Sequence, residues 1–395
     1  MFKYKLMFFL LLQLSSVAFS ADLPPEKPDL APNQQISPSF HIDQLMEGSI
    51  QKGLISGGVI LIGNRDRTLF EKAYGRVSPG PDARPMTVDT LFDLASLTKV
   101  IATTPAILKL AEGRKLSLVD PVKKWFPELE GKGKDDLLVM HLLTHTSALN
   151  DFSLSTEKPM LSAIEGVAEQ SLKGEIGNRF HYADINFILL GEMVRRVSGE
   201  TLNAYTARNF YQSMGMKATG FLPSVDLRER AASTQGDGNI TFSGDPQDYL
   251  ARQLGGVAGH AGLFSSSADL AVFCRMMLAG GRSSGREIMA ERTVNQMTAP
   301  YFSRGGKVAR GLGWDIDSPY SAPRGGFFSR SSFGHTGYSG ASLWLDPAAD
   351  LYVIVLTTRL DFRKKAQFSQ LRSELSTLAV EAFGTPLSLQ ELEED

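Results

Sequence analysis

Apolar positions at helical spacing open the patterned part of the chain: Ile42, Leu45, Met46 and Ile50 share one face of a helix over residues 40–52. Two runs of strand character follow, residues 58–63 and 68–74, separated by the turn-forming Asn64-Arg65-Asp66. From about residue 97 to 299 the pattern is mostly helical. Clear examples are 185–197, stopped by Ser198-Gly199, and 268–278, stopped by Gly280-Gly281. Strand character returns at 340–345 and 351–357, with Asp346-Pro347 between them, and a last amphipathic helix covers 365–383. Strands near both ends and helices between them predict one sheet assembled from the two termini, with a helical lobe inserted. The sheet lobe then takes residues 39–95 and 330–385, the helical lobe about 97–325, and both belong to one domain over 39–385. A cleft between the lobes is the natural ligand site.

The segments outside that domain carry different signals. Lys3 and Lys5 precede an apolar run over residues 6–12, and Ala18-Phe19-Ser20 matches a small-x-small cleavage site, so residues 1–20 read as a signal peptide. The mature chain is therefore expected to be periplasmic or secreted. Residues 21–38 contain Pro24, Pro25, Pro28, Pro32 and Pro38 and read as an extended linker, while 386–395 form an acidic tail. The 41 basic and 43 acidic residues leave a net charge of -2, which supplies no basic field to attract nucleic acid. The single cysteine, Cys274, excludes an intrachain disulfide, a thiolate zinc site and an iron–sulfur cluster, and its apolar helical setting makes it inert core.

Three short motifs carry candidate chemistry. Ser96-Leu97-Thr98-Lys99 opens an apolar helical stretch, and Ser96 stands where an N-cap is expected. Positions i and i+3 share a helix face, so Lys99 reaches the Ser96 hydroxyl. Serine needs an adjacent base to become a nucleophile, and a buried lysine with a lowered pKa helps to supply one. Pro105 is expected to bend the helix beyond the pair. The second motif, Tyr182-Ala183-Asp184, precedes the helix over 185–197. Its phenol acts as a base only if its pKa falls below the ordinary value of about 10, which a nearby Lys99 cation favours; the plainer reading is a core tyrosine with Asp184 capping the helix. The third, His335-Thr336-Gly337, enters the strand that starts near residue 340. A glycine there lets backbone approach closely, and the Tyr338 N–H can pair with that of Ser96 as an oxyanion hole.

In that order, S-x-x-K, Y-x-D and H-T-G form the pattern of penicillin-recognising serine enzymes. The chain resembles the class C β-lactamase and D,D-peptidase family, which also contains carboxylesterases, over about residues 40–383. The resemblance includes His141-Leu142-Leu143-Thr144-His145-Thr146-Ser147, the 259–265 segment Gly-His-Ala-Gly-Leu-Phe-Ser, and Gly311-Leu312-Gly313-Trp314. It implies an α+β, β-lactamase/transpeptidase-like fold, with an antiparallel sheet flanked by helices and an inserted helical lobe. It also implies a covalent acyl-serine: Ser96 as nucleophile, Lys99 as its proton partner, Tyr182 as base and acid, and Asp184, His335, Thr336, Gly337 and Tyr338 as substrate-binding positions. Two departures bear on substrate. Asp184 stands where many members have asparagine, which removes an amide donor. His335 stands where most β-lactamases have lysine, so its hold on a carboxylate depends on its protonation near neutral pH, with Arg359 as the next candidate anchor.

Other patterns are weaker. Gly281-Arg282-Ser283-Ser284-Gly285 matches a G-x-S-x-G elbow, yet follows a helix instead of a strand. His141 and His145 have helical spacing without a third metal ligand, and read as packed, hydrogen-bonded histidines. His260, among glycines, is a candidate cleft residue. The chemistry calls for no metal and no organic cofactor. Small-molecule or peptide substrates are expected: peptidoglycan stem peptides, esters or β-lactams, with no nucleic acid and no stable protein partner evident. D-alanyl-D-alanine carboxypeptidase, amidase, esterase and weak β-lactamase remain open within the hydrolase reading, and a non-catalytic sensor of β-lactams or muropeptides is the rival outside it.

Overall fold

The apolar run near residue 60 becomes a strand that is buried on both faces, which is why it is continuous and not alternating. This strand, β1 (Ile55–Gly63), follows α1 (Phe40–Gln51) and pairs antiparallel with β2 (Thr68–Gly75). In the computed structural model, residue 37 and residues 39–236, 240–304 and 308–384 are described. The expected signal peptide, the linker apart from Ser37, and the acidic tail lie outside the described residues.

The helical region contains α2 (Thr104–Glu112), α3 (Asp184–Ser198) and α4 (Ser267–Leu278). Ser266 caps α4 by accepting the Asp269 N–H, and α3 ends where Gly199 takes a left-handed φ of 77°. The chain then returns to the sheet through β3 (Phe302–Arg304), β4 (Val308–Arg310), β5 (Asp315–Asp317), β6 (Phe333–Thr336), β7 (Ser342–Asp346) and β8 (Leu351–Arg359). Helix α5 (Lys365–Phe383) closes the described chain. Among the described residues the sheet has the order β3-β4-β5-β6-β7-β8-β1-β2, and its pairings are antiparallel.

Two expectations change here. The sheet lobe does not begin again at residue 330: β3, β4 and β5 lie within the span assigned to the helical lobe, but are only three residues each, too short to show a period-2 pattern. His335-Thr336 does not lead into the next strand either. It belongs to β6, and the hairpin to β7 is closed by the Gly337 N–H donating to the Ala341 carbonyl.

The sheet separates two cores. Val59 and Leu61 of β1 and Tyr352, Ile354 and Leu356 of β8 face the helical lobe, joining Leu97, Ile101, Phe187 and Trp314. Ile60, Ile62, Val353 and Val355 face the other way, against Ile42 and Met46 of α1 and Phe368, Leu371 and Leu375 of α5. Each fully buried aliphatic side chain contributes roughly 1.5–3 kcal/mol, so this central pair of strands is the rigid wall on which the motifs are hung.

Candidate active site

Ser96 is not a helix cap. It sits in a tight 3₁₀ turn, Ala95–Leu97, that follows the short strand Phe92–Asp93. Ala95 is forced to a φ of 45°, a left-handed conformation that costs a residue with a side chain roughly 1–2 kcal/mol. The Asp93 carboxylate holds it there by accepting the Ala95 N–H at 2.9 Å. A wide π-helical turn, Lys99–Thr103, connects Ser96 to α2, where Pro105 occupies the first turn and α2 continues. Proline has no N–H to offer the carbonyl four residues back; the Ile101 carbonyl instead accepts the Tyr211 hydroxyl at 3.1 Å.

That geometry buries the Lys99 side chain completely and directs its ammonium into three oxygens: Ser96 Oγ at 2.9 Å, the His260 carbonyl at 3.1 Å and Asp184 Oδ1 at 2.7 Å. Burial disfavours the charge, but the Asp184 carboxylate and Tyr182 outweigh it and hold Lys99 above its ordinary range. The expected lowering of its pKa is therefore not found, because the residue two after the tyrosine is an acid. Asp184 is free for this pairing because it does not cap α3. That role falls to Asp151, which accepts the Ile185 N–H at 2.8 Å.

Tyr182 is hydrogen-bonded to both Lys99 and Ser96. Burial pushes its phenol above the ordinary value while Lys99 pulls the other way, so the resting group is a neutral hydroxyl, contrary to a lowered pKa. Its ring is stacked on His145 at 4.4 Å between centroids. His145 Nδ1 accepts the Ala183 N–H and faces the Asn186 amide, and the His145 carbonyl accepts the His181 N–H, so this residue fixes the chain on both sides of the tyrosine. His141 does separate work, accepting the Leu138 N–H.

Ser96, Tyr182, His335, Thr336, Gly337 and Tyr338 line one cavity of about 190 Å³, together with Arg310, Asp315, Tyr320, Arg359 and Arg372. All three motifs thus meet. Gly337 is required by packing, since a Cβ there would run into the Leu94 carbonyl just before the Ser96 turn. His335 is buried, and its Nδ1 lies 2.9 Å from the Thr336 carbonyl. Burial, then the Arg310 and Lys99 charges, push its pKa well below the ordinary value, so it is neutral near pH 7 and no cationic anchor.

Positive charge comes from elsewhere. Arg310 is neutralised by Asp315 at 3.0 Å. Arg359 and Arg372 are buried, and among the described residues neither meets a carboxylate. Arg359 lies against the rings of Tyr338, Phe362 and Phe368 and donates to the Phe362 carbonyl; Arg372 donates to the Gly337 and Ala341 carbonyls. Nε of each is buried without a partner. Burial lowers the proton affinity of both, and the Arg359 charge lowers that of Arg372 further. Two guanidiniums with no carboxylate in ion-pair contact among the described residues, Arg359 opposed only by the more distant Asp361 charge, leave this end of the cleft positively charged.

His260 reaches the site through its carbonyl, while its ring is held by Asp248 at 2.8 Å. Asp184, Asp248 and His260 present ligand atoms within 4.8 Å of one another, a spacing that suits a metal ion, but the Lys99 ammonium already stands against Asp184. Gly281–Gly285 lies across the hairpin Arg282–Ser283 and Arg286–Glu287, so the G-x-S-x-G match has no strand-to-helix elbow. Cys274 is buried in α4 with its thiol pKa pushed up by burial. A larger cavity, about 570 Å³, lies behind Gly259 among Met160, Ile188, Leu202 and Val257 and contains none of the motif residues. Sequence reasoning missed Asp93, Asp151, Asp248, Arg310, Tyr320 and Arg372, none of which stands in a recognisable local pattern.

Comparison with known proteins places this geometry among relatives. A beta-lactamase family model matches residues 42–373. An N-acetylmuramyl-L-alanine amidase of Bacillus subtilis (strain 168) is 30% identical over 359 residues, covering 80% of each chain. A Salmonella agona (strain SL483) protein provisionally named D-alanyl-D-alanine carboxypeptidase is 28% identical, covering 90% of this chain and 91% of its own. Among solved structures, a class C beta-lactamase superposes with a TM-score of 0.73 at 20% identity, over 89% of this chain and 97% of its own. A penicillin-binding protein homologue from Caulobacter crescentus gives 0.72 at 18%, over 88% and 98%. The last two bear on the fold alone.

Proposed function

The chain belongs to the beta-lactamase family of serine hydrolases, and within it we propose an acyl-serine amidohydrolase that acts on peptidoglycan-type peptides as a D-alanyl-D-alanine carboxypeptidase or related amidase. The observation that carries the finer reading is the pair of guanidiniums, Arg359 and Arg372, in the same cavity as Ser96, neither in ion-pair contact with a carboxylate among the described residues. They suit a substrate with a carboxylate near the scissile amide. The names of the amidase and carboxypeptidase relatives support the same substrate class.

In this reading Ser96 Oγ attacks the amide carbonyl, and the backbone N–H groups of Ser96 and Tyr338 receive the developing oxyanion. A neutral Tyr182 can still move protons if the transfer is concerted. The Ser96 proton passes to the phenol oxygen as the phenol proton passes to the leaving nitrogen, so no free phenolate forms. Lys99 stays an ammonium, fixing Ser96 and stabilising negative charge on either oxygen. Water then attacks the acyl-serine, and the same hydroxyl returns a proton to Ser96. Thr336 and Gly337 give the substrate an edge to lie against. We place this activity in the periplasm or outside the cell, on the strength of residues 1–20.

The test is a substrate panel read by mass spectrometry: D-Ala-D-Ala peptides, muropeptides, nitrocefin and p-nitrophenyl esters. The expected result is amide cleavage of acidic peptides with a transient adduct on Ser96. Turnover confined to neutral esters or to nitrocefin overturns the peptide reading, and an adduct that never turns over favours a sensor. Cell fractionation tests the location.

A further inference from the structure

Asp93 stands three residues before the nucleophile, and its carboxylate faces two backbone donors in different parts of the chain. One oxygen accepts the Ala95 N–H at 2.9 Å; the other accepts the Gln247 N–H at 2.7 Å. Its own carbonyl accepts the hydroxyl of Ser339, in the loop of the H-T-G hairpin, at 2.7 Å. The next residue after Gln247, Asp248, holds the His260 ring, and the His260 carbonyl accepts from Lys99. A single carboxylate, 4% exposed, therefore ties the strained Ala95–Ser96 turn to the segment that aims the Lys99 ammonium.

We infer that Asp93 is a positioning residue for the acylation step, and that its ionised form is the competent one. The inference rests on Ser96 being the nucleophile. An ionised carboxylate can accept from both N–H groups at once. Once protonated, one oxygen becomes a neutral hydroxyl, a weaker acceptor than a carboxylate oxygen, and the tie on that side is weakened. The turn that Ala95 adopts only under constraint then relaxes, or the 247–248 segment shifts and takes the Lys99 carbonyl partner with it.

The environment brings that switch into an accessible range. Burial pushes the Asp93 carboxyl up to about 6; the Gln247 and Ala95 N–H groups pull it down, Asp248 adds to the rise and Arg252 opposes it. Beyond Asp248 stand the His260 ring and the Lys99 ammonium. Burial pushes the nearby His145 and His335 well below 6.5, while Tyr182 and Lys99 are both raised.

The experiment is the second-order rate of Ser96 labelling by a fluorescent fluorophosphonate, quenched and read on gels from pH 5 to 7.5, for the full chain. The wild type should lose roughly tenfold between pH 7.5 and 5, as a single group near 6 requires. Asp93→Asn should be flat over that range, near the wild type's pH 5 rate, while Asp93→Glu should retain an acid limb. Arg252→Gln removes a charge that opposes protonation and should move the wild-type limb to higher pH, which tests the idea even if Asp93→Asn does not fold. An unchanged limb in both variants overturns the inference, because the titrating group is then not Asp93. A chain that never labels, or labels equally as Ser96→Ala, overturns the acyl-serine reading beneath it.

Discussion

The Lys99 ammonium and the Asp184 carboxylate form an ion pair at 2.7 Å, with the lysine side chain fully buried and the aspartate about one quarter exposed. The pairing fixes the charge state of the site. An isolated buried lysine sheds its proton, whereas this one keeps it because a carboxylate occupies the position two residues after the tyrosine. Replacing Asp184 by asparagine is therefore a change in the protonation of Lys99, not only the loss of a contact.

Asp184→Asn should lower acylation at pH 7 by at least tenfold and bring in a new alkaline loss. With the carboxylate gone, only Tyr182 still opposes burial at Lys99 and its pKa falls, so the ammonium is lost as pH rises through the range where the wild type is still charged. The check is a pH–rate profile from 6 to 10 for both proteins. Superimposable profiles would show that the ion pair does not govern Lys99.

Ser96→Ala should abolish labelling by fluorescent penicillin or fluorophosphonate and reduce turnover by several orders of magnitude, as loss of an activated nucleophile commonly does. Thermal unfolding should change little, since Ser96 lies at the cavity surface. Undiminished turnover in the folded variant would exclude Ser96 as the nucleophile.

Tyr182→Phe removes one oxygen and almost no volume, leaving the stack on His145 in place. The loss in kcat should be severe with little change in KM. Combined with Lys99→Ala it should be hardly worse than either single variant, because the hydroxyl and ammonium act on the same Ser96 oxygen. Additive losses would mean that one of the two only packs.

Recognition of an acidic substrate should follow the arginines and not the histidine. Arg359→Ala should raise KM for a peptide acid roughly ten- to hundredfold and leave a matched neutral ester nearly unaffected. Since His335 is held neutral by burial and by Arg310 and Lys99, KM for the acid should stay flat from pH 6 to 8. A rise across that interval, abolished by His335→Lys, would return the anchor to His335.

The sequence by itself determined the elements with strong periodicity and the residues with local grammar. Helices over 185–197, 268–278 and 365–383 appear within a residue or two, and β1 and β8 were visible as apolar runs because both faces are buried. Ser96 and Lys99 could be paired from spacing alone, and Tyr182 and His335 from the order of motifs. Tertiary structure decided what those groups are electrically. Whether Lys99 is charged depends on burial set against Asp184 and Tyr182, and whether His335 is charged depends on burial and on Arg310, two strands across the sheet. Arg359 and Arg372 come together in the Ser96 cavity only because the end of β8 and a face of α5 converge beside the H-T-G hairpin. Periodicity reports which face of an element is buried. A pKa is set by the dielectric and by charges within a few ångströms, which belong to no single stretch of chain.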